Sequence, residues 1–315
     1  MKIGLIGLGD IAEKAYLPTV CAMPGMEIHL CTRNQERLES LGRQYRIHHL
    51  HGTVSELVNS GVEAVFVHAA TEAHPVLVAS LLDAGVHTFV DKPVAYHLDD
   101  VEALFAQSLR QNLLLEVGFN RRFAPAYAAL QRMHNKDIVV LEKNRQSQPA
   151  AVRTVVMDDF IHVVDTLRIL MPGPVQVVQL QGRVRGGQLQ YVTLELANGA
   201  TTAIGIMHRN TGFTEERLEV VTEGKKIVVT NLTDVEEFRE TAIRPAADNW
   251  TSTVARRGFP QMVGRFLEWV QVFNAAGDKA ETVSLAQHAQ DMLETHRICD
   301  TIVSQLESQS TYERP

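Results

Sequence analysis

Two stretches of the chain carry residue types at spacings suited to proton transfer. The first is Asp91-Lys92-Pro93, which closes a short apolar run, His87–Val90. An isolated lysine is ordinarily a solvated surface residue. Lys92 instead stands at the end of a predicted inner strand, beside a proline that fixes the backbone, where it can hold or transfer a proton at a substrate oxygen. The second stretch is Asp158-Asp159-Phe160-Ile161-His162-Val163-Val164-Asp165. On a helix Asp158 and His162 are four apart and share a face, with Asp165 three further on. A carboxylate beside an imidazole fixes its tautomer and raises its basicity, the requirement of a proton relay between an alcohol and a carbonyl. The plainer reading, a capping aspartate near a core histidine, stands beside it.

A third group suits a dinucleotide. Lys2–Ile6 is an almost continuously apolar run that ends in Gly7-Leu8-Gly9-Asp10-Ile11-Ala12. This is a strand, a tight glycine turn and a helix start. Gly7 permits the turn, Gly9 lets a ligand approach the backbone, and Ala12 lets the helix lie close to the strand. The amides of Gly9, Asp10 and Ile11 would face a pyrophosphate at the helix N-terminus. The second predicted strand ends in Thr32-Arg33, with Arg37 one helical turn on. No acid occupies the slot where a ribose 2′-hydroxyl is usually held. A hydroxyl and a guanidinium suit a 2′-phosphate, which favours NADP(H) over NAD(H). Thr71 and His74 follow the end of another predicted strand, Ala64–Ala69, and join the cofactor set.

These groups need a scaffold that brings strand ends together. Strands alternate with helices over residues 1 to about 120, the pattern of a doubly wound parallel α/β sheet. In such a sheet ligands bind at the carboxyl ends of the strands. From 121 to 315 the rhythm changes. A helix at Met157–Leu170 precedes alternating segments at Val175–Arg185, Gln190–Leu196, Thr201–His208, Arg217–Thr222 and Lys226–Thr230, joined by glycine-containing hairpin turns. This predicts an α+β domain on a mainly antiparallel open sheet. Two helices at Gln261–Ala276 and Leu285–Gln305 close it, and the polar stretch from Glu307 to Pro315 reads as a frayed end. Within this domain His208-Arg209 ends one strand, while Lys143 and Arg145 lie on another. If these four line the pocket they favour an acidic substrate, and Arg145 and His208 join Lys92 and His162 as the substrate-binding set.

Composition narrows the classes. The chain has 315 residues, a formal net charge of −7 and 45% hydrophobic residues. An acidic balance argues against a nucleic-acid or anionic-membrane partner. Three cysteines, without a CxxC pair, suit a reducing cytoplasm. No apolar run nears the roughly 18 residues of a spanning helix, and no secretory signal is expected ahead of the first strand. His48-His49-His51 has neither an established metal spacing nor nearby acids in sequence, so no metal site is predicted.

Four motifs in order resemble the Gfo/Idh/MocA oxidoreductases, and in particular the MviM-like branch: the turn Gly7–Ala12, Asp91-Lys92-Pro93, Gly118-Phe119-Asn120-Arg121-Arg122-Phe123-Ala124-Pro125, and Asp158-x-x-x-His162-x-x-Asp165. The resemblance covers almost the whole chain. It implies Lys92, Asp158 and His162 as the catalytic set, with His162 the acid/base and Lys92 orienting the substrate hydroxyl. It also implies a place for Asp91 near the nicotinamide, a sugar, cyclitol or sugar-acid-like substrate, and a homodimer or homotetramer formed through the C-terminal sheet. Arg122 lies just past the last strand of the first domain, where the domains must meet, and completes the cofactor set. Two positions depart from the family pattern. Asp91 replaces glutamate, and Phe160 replaces glycine, adding bulk expected to narrow the pocket. A non-catalytic NADP-binding scaffold and a lyase or glycosidase with retained NAD are the alternatives.

Overall fold

The computed structural model describes residues 1–240, 242–243, 250–276 and 282–310. Its first unit begins with β1 (Lys2–Ile6), α1 (Leu17–Cys21), β2 (Glu27–Cys31), α2 (Gln35–Tyr45), β3 (His49–His51) and α3 (Val54–Asn59). It continues with β4 (Ala64–Val67), α4 (His74–Asp83), β5 (His87–Val90), α5 (Leu98–Arg110) and β6 (Leu115–Val117). The six strands are parallel and ordered β3-β2-β1-β4-β5-β6. β4 and β5 are buried throughout, as strands covered on both faces must be. The strand order reverses between β1 and β4, and the crevice at that switch point is where such sheets bind nucleotides. Ahead of α1 the residues Ala12–Tyr16 form a π-helical turn in which the Leu17 amide reaches back to the Ala12 carbonyl. Pro18 cannot donate, so the ladder widens before it.

The second unit holds α6 (Pro125–Gln131), β7 (Ile138–Asn144), β8 (Ala150–Ala151), α7 (Val152–Val155), a π-helical turn (Val156–Phe160) and α8 (Ile161–Leu170). Its remaining strands are β9 (Gln176–Arg185), β10 (Gln188–Ala197), β11 (Thr202–His208), β12 (Glu215–Thr222), β13 (Lys225–Thr230), β14 (Asp234–Phe238) and β15 (Ala242–Ile243), followed by α9 (Thr253–Arg256). The sheet runs β15-β14-β13-β12-β7-β11-β10-β8, with β9 also on β10. All its pairings are antiparallel except β7 with β11. The antiparallel α+β reading is borne out. The acidic segment β14 carried no apolar alternation and was not predicted.

One face of this sheet receives α8. Along β11, Ala203, Gly205 and Met207 are buried while Ile204, Ile206 and His208 are only partly so, the period-two signature of a one-sided sheet. A Cβ on Gly205 would lie 2.8 Å from Val163 Cγ1, so glycine lets the helix seat closely. The Phe160 ring tip faces the same spot and its side chain is fully buried. Phe160 therefore fills the helix–sheet interface. The expectation that it narrows the pocket is corrected.

Two long helices end the chain, α10 (Phe259–Ala276) and α11 (Thr282–Ser310). Contacts divide the protein into Met1–Gly118 with Phe259–Glu294, and Phe119–Gly258 with Thr295–Pro315. Residues 259–294, assigned from sequence to the second domain, thus belong with the first. Aromatic contacts explain the return: the Phe266 ring lies 5.2 Å from that of Phe66 and 5.5 Å from that of Phe89, and Phe259 lies 5.3 Å from Tyr16. An amphipathic helix does not declare which core it covers. The polar stretch expected to fray from Glu307 is helical as far as Ser310, and 311–315 lie outside the described residues.

Candidate active site

The glycine turn after β1 has the geometry a nucleotide needs. Gly7 has φ +84°, and a Cβ there would come within 2.4 Å of the Ala69 amide nitrogen, so only glycine fits. A Cβ on Gly9 would meet nothing within 4 Å, leaving open space beside the backbone. Ala12 is fully buried against the sheet, while Asp10 and Ile11 are exposed. Thr32 and Arg33 follow β2 directly, and Arg33 is exposed. Arg37 is engaged within the unit, donating through Nε to the Leu8 carbonyl at 2.9 Å and through Nη2 to Glu13 at 2.5 Å. The residues of the turn fit an NAD(P) cofactor. Of the two arginines expected at a 2′-phosphate, the exposed one is Arg33.

Lys92 lies two residues past the end of β5, and its amide donates to Asp91 Oδ1 at 3.0 Å. Burial pushes the Asp91 pKa up, against the pull of Lys92. A Cβ on Gly118 would lie 2.9 Å from Asp91 Oδ1 and 3.0 Å from the Tyr16 hydroxyl, so a side chain there would displace the Asp91 carboxyl. Thr71 opens a 3-10 turn that leads into α4. His74, expected at the cofactor, is buried to 1% exposure, with Nδ1 2.9 Å from the Pro93 carbonyl and Nε2 3.0 Å from the Ala69 carbonyl. Both ring nitrogens face backbone carbonyls at the ends of adjacent strands. The ring packs between the loop that carries Lys92 and the end of β4.

In the second unit the π-helical turn carries Asp158 and Asp159, and α8 carries His162 and Asp165. Such bulges recur at functional sites because they re-aim side chains within a helix. His162 is buried. Asp165 is 1% exposed and accepts from Arg122 Nε at 2.9 and 3.1 Å, from Arg122 Nη2 at 2.5 Å and from Thr295 Oγ1 at 2.9 Å. Arg122, placed by sequence at the cofactor, is thus held by the helix, with its guanidinium 5.1 Å from the Phe119 ring centre.

Sequence reasoning passed over Asp159. Its carboxylate accepts from Lys143, from Arg145 Nε and Nη2 at 2.8 Å each, and from Arg209 Nη1 at 2.5 Å. These cations hold its pKa far below the usual carboxylate range. Burial lowers the Lys143 pKa to about 7, with neighbouring Arg121 adding to the effect. Alternation supplied the missing signal: Lys143 and Arg145 are two apart on or just past β7 and share the face that receives α8. The same rule corrects His208. Its side chain lies on the other face, stacked at 6.1 Å with Tyr191, and Arg209 is the neighbour that reaches the cluster. Beside them, Arg121 pairs with Glu216 through Nε at 2.9 Å and Nη2 at 2.6 Å, and the Tyr127 hydroxyl donates to Glu216 at 3.0 Å. A cavity of about 390 Å³ within this unit is lined by Arg145, Arg209, Asp158, Asp159 and Thr154, among others.

The histidine run does acquire an acid in three dimensions, contrary to the sequence reading. Ligand atoms of Glu27, His29 and His49 lie within 4.8 Å of one another. The His29 and His49 rings are stacked at 4.4 Å with planes 15° apart, and Lys2 Nζ is 3.8 Å from Glu27 Oε1. His29 is hydrogen-bonded on both sides, with Nε2 3.0 Å from Glu27 Oε1 and Nδ1 3.0 Å from His51 Nε2.

Residues 1–119 match the oxidoreductase family with an NAD-binding Rossmann fold, Gfo/Idh/MocA, and residues 125–240 match the YceM-like C-terminal domain. YceM of Salmonella typhimurium, a protein named as an oxidoreductase, is 33% identical over 307 residues, covering 93% of this chain and 97% of its own. The chain belongs to the Gfo/Idh/MocA oxidoreductase family. The structure is similar to that of a Gfo/Idh/MocA family oxidoreductase from Vibrio cholerae, with a TM-score of 0.89, 31% identity and 99% coverage of both chains. The myo-inositol 2-dehydrogenase of Thermotoga maritima is 25% identical over 253 residues, 74% of this chain and 76% of its own. This member of the family is accordingly an NAD(P)-dependent oxidoreductase with the family's Rossmann domain and an open-sheet second domain. Among the described residues, no helix is long and apolar enough to cross a membrane.

Proposed function

We propose that this protein is an NADP(H)-dependent dehydrogenase or reductase acting on a CH–OH carbon of a sugar, cyclitol or related polyol. The observation that carries the proposal is the helix of the second unit, which presents Asp158 on a cavity wall and carries His162 one turn on. Bound nicotinamide would supply or accept the hydride. Gly7, Gly9, Asp10, Ile11 and Ala12 would hold its pyrophosphate, and Thr32 with Arg33 a 2′-phosphate. His162 acts as the acid/base at the substrate oxygen, Asp158 supports its protonation, and Lys92 orients the reacting hydroxyl. Family membership and the cyclitol activity named for the Thermotoga relative support this class. The preference for NADP(H) rests on the exposed Arg33 and on the absence of an acid at the end of β2. Assembly into a homodimer or tetramer would use the sheet face opposite α8. Three free cysteines suit a cytoplasmic setting.

Fluorescence titration with NADPH and with NADH, followed by turnover of a polyol panel, tests this reading. Tighter NADPH binding and reversible reduction of NADP+ by a polyol would support it. Preferential NADH binding would overturn the cofactor assignment. A nucleotide that is retained through turnover without net reduction would overturn the dehydrogenase assignment in favour of a lyase.

A further inference from the structure

The cavity beside Asp158 is lined by two arginines, Arg145 and Arg209, and two aspartates, Asp158 and Asp159, and one of those carboxylates gathers several cations. Lys143, Arg145 and Arg209 all converge on the single carboxylate of Asp159. Arg145 uses Nε and Nη2 on Asp159, and Arg209 uses Nη1 on Asp159 and Nε on the Gln148 carbonyl at 2.8 Å. Each guanidinium keeps one nitrogen, Nη1 of Arg145 and Nη2 of Arg209, without a hydrogen-bond partner among the described residues. Both arginines line the cavity, and the Arg209 side chain is only 9% exposed. A guanidinium nitrogen left over at a cavity wall offers a charge-assisted donor, and the planar guanidinium matches a carboxylate edge.

We propose that this cavity binds the carboxylate of an anionic substrate, a polyhydroxy acid, with Arg145 and Arg209 as the donors. Asp159 is the positioning residue. It fixes both guanidinium planes while leaving one edge of each for the ligand. The acids on the same wall, Asp158 and Asp159, limit the charge the site tolerates. A monoanionic carboxylate therefore suits it better than a phosphate dianion. The proposal rests on the polyol oxidoreductase reading only for the hydroxyl-bearing part of the substrate; the anion site stands on the arginines.

Calorimetric binding separates the two. D-Gluconate and D-glucuronate would be titrated against D-glucose, myo-inositol and D-glucose 6-phosphate on the wild-type protein and on Arg145→Ala, Arg145→Lys and Arg209→Lys. The wild type should bind the carboxylates about 10- to 100-fold more tightly than the neutral polyols, the range of one to two charge-assisted hydrogen bonds. Arg145→Ala should abolish that preference and the lysine variants should reduce it. Should Arg145→Ala fail to fold, the lysine variants carry the test, since they keep the charge and lose the fork. Equal binding of acids and neutral polyols, a preference that survives all three variants, or tighter binding of the phosphate ester would each overturn the proposal. Arginine-dependent carboxylate binding without any hydride exchange with NADP(H) would leave it standing and overturn the oxidoreductase reading. Oxidation of neutral polyols with no carboxylate preference would do the reverse.

Discussion

His74 Nδ1 lies 2.9 Å from the carbonyl oxygen of Pro93, one residue past Lys92. Its other ring nitrogen is 3.0 Å from the Ala69 carbonyl, so one buried ring sits between the loops that follow β4 and β5, and in its neutral form its single N–H donates to one of the two carbonyls. A lysine that must meet a substrate oxygen gains from a loop that does not wander, since small misplacements cost large factors in rate. His74→Ala should lower kcat about 10- to 100-fold and stability by about 1–3 kcal/mol, while leaving the Kd for NADPH within about twofold. Steady-state kinetics with a nucleotide titration checks it. A change confined to nucleotide affinity would make His74 a cofactor contact, as its place in the sequence suggested.

Arg33 and Arg37 separate the two halves of the 2′-phosphate argument. Arg33 is exposed at the end of β2, whereas Arg37 is tied to Glu13 and the Leu8 carbonyl. Arg33→Ala should weaken NADPH binding about tenfold or more, the worth of a charge-assisted contact, and leave NADH unchanged. Arg37→Ala should instead lower the melting temperature, with a smaller effect on the NADPH-to-NADH ratio. Fluorescence titration of both variants decides, and equal losses for the two nucleotides in Arg33→Ala would refute the assignment.

The sequence made the scaffold legible wherever a strand ran into a glycine turn or alternated cleanly. The parallel sheet of the first unit and the mainly antiparallel sheet of the second follow from those patterns, whereas the order of the strands emerges only in the fold. The destination of α10 was not legible, because its aromatic stripe could have covered either core. At the candidate site, residue types were legible and partners were not. Arg122 and His74 looked available for a cofactor, yet Asp165 holds the one and two carbonyls flank the other, and those partners are 43, 19 and 5 residues away. His208 was mistaken for its neighbour Arg209 because strand ends were placed without fixing which face each residue takes, and a shift of one reverses the face.

Phe160 stands where related motifs have glycine, and its side chain is fully buried over Gly205. Phe160→Ala would open a cavity between α8 and the sheet and should destabilise the protein by about 3–5 kcal/mol. Because the ring does not line the cavity at Asp158, the order of preference among polyol substrates should be unchanged. Denaturant unfolding and a substrate panel measure both. A broadened substrate range at unchanged stability would place the ring in the pocket after all.

Glu216 makes acid stability a test of the buried network. Its side chain is 8% exposed and pairs with Arg121 and the Tyr127 hydroxyl, which together hold its pKa at about 2 in spite of burial, against an ordinary value of 4.5. Between those values the unfolded chain binds the proton and the folded chain does not, so folding stability falls as pH drops. The contribution is complete above the unfolded value and is lost as the pH descends toward 2. Its size is about 3 kcal/mol, from the linkage of one pKa unit to about 1.4 kcal/mol. Glu216→Gln should remove the share of Glu216 in the pH dependence of that window, leaving the share of Asp159, whose pKa is also held low, and should lower stability at neutral pH by about 3–5 kcal/mol, because Arg121 is left buried without its counter-charge. Urea unfolding of both proteins from pH 7 to pH 3 reads the two effects separately. Parallel stability curves for wild type and variant would show that Glu216 does not titrate differently on folding.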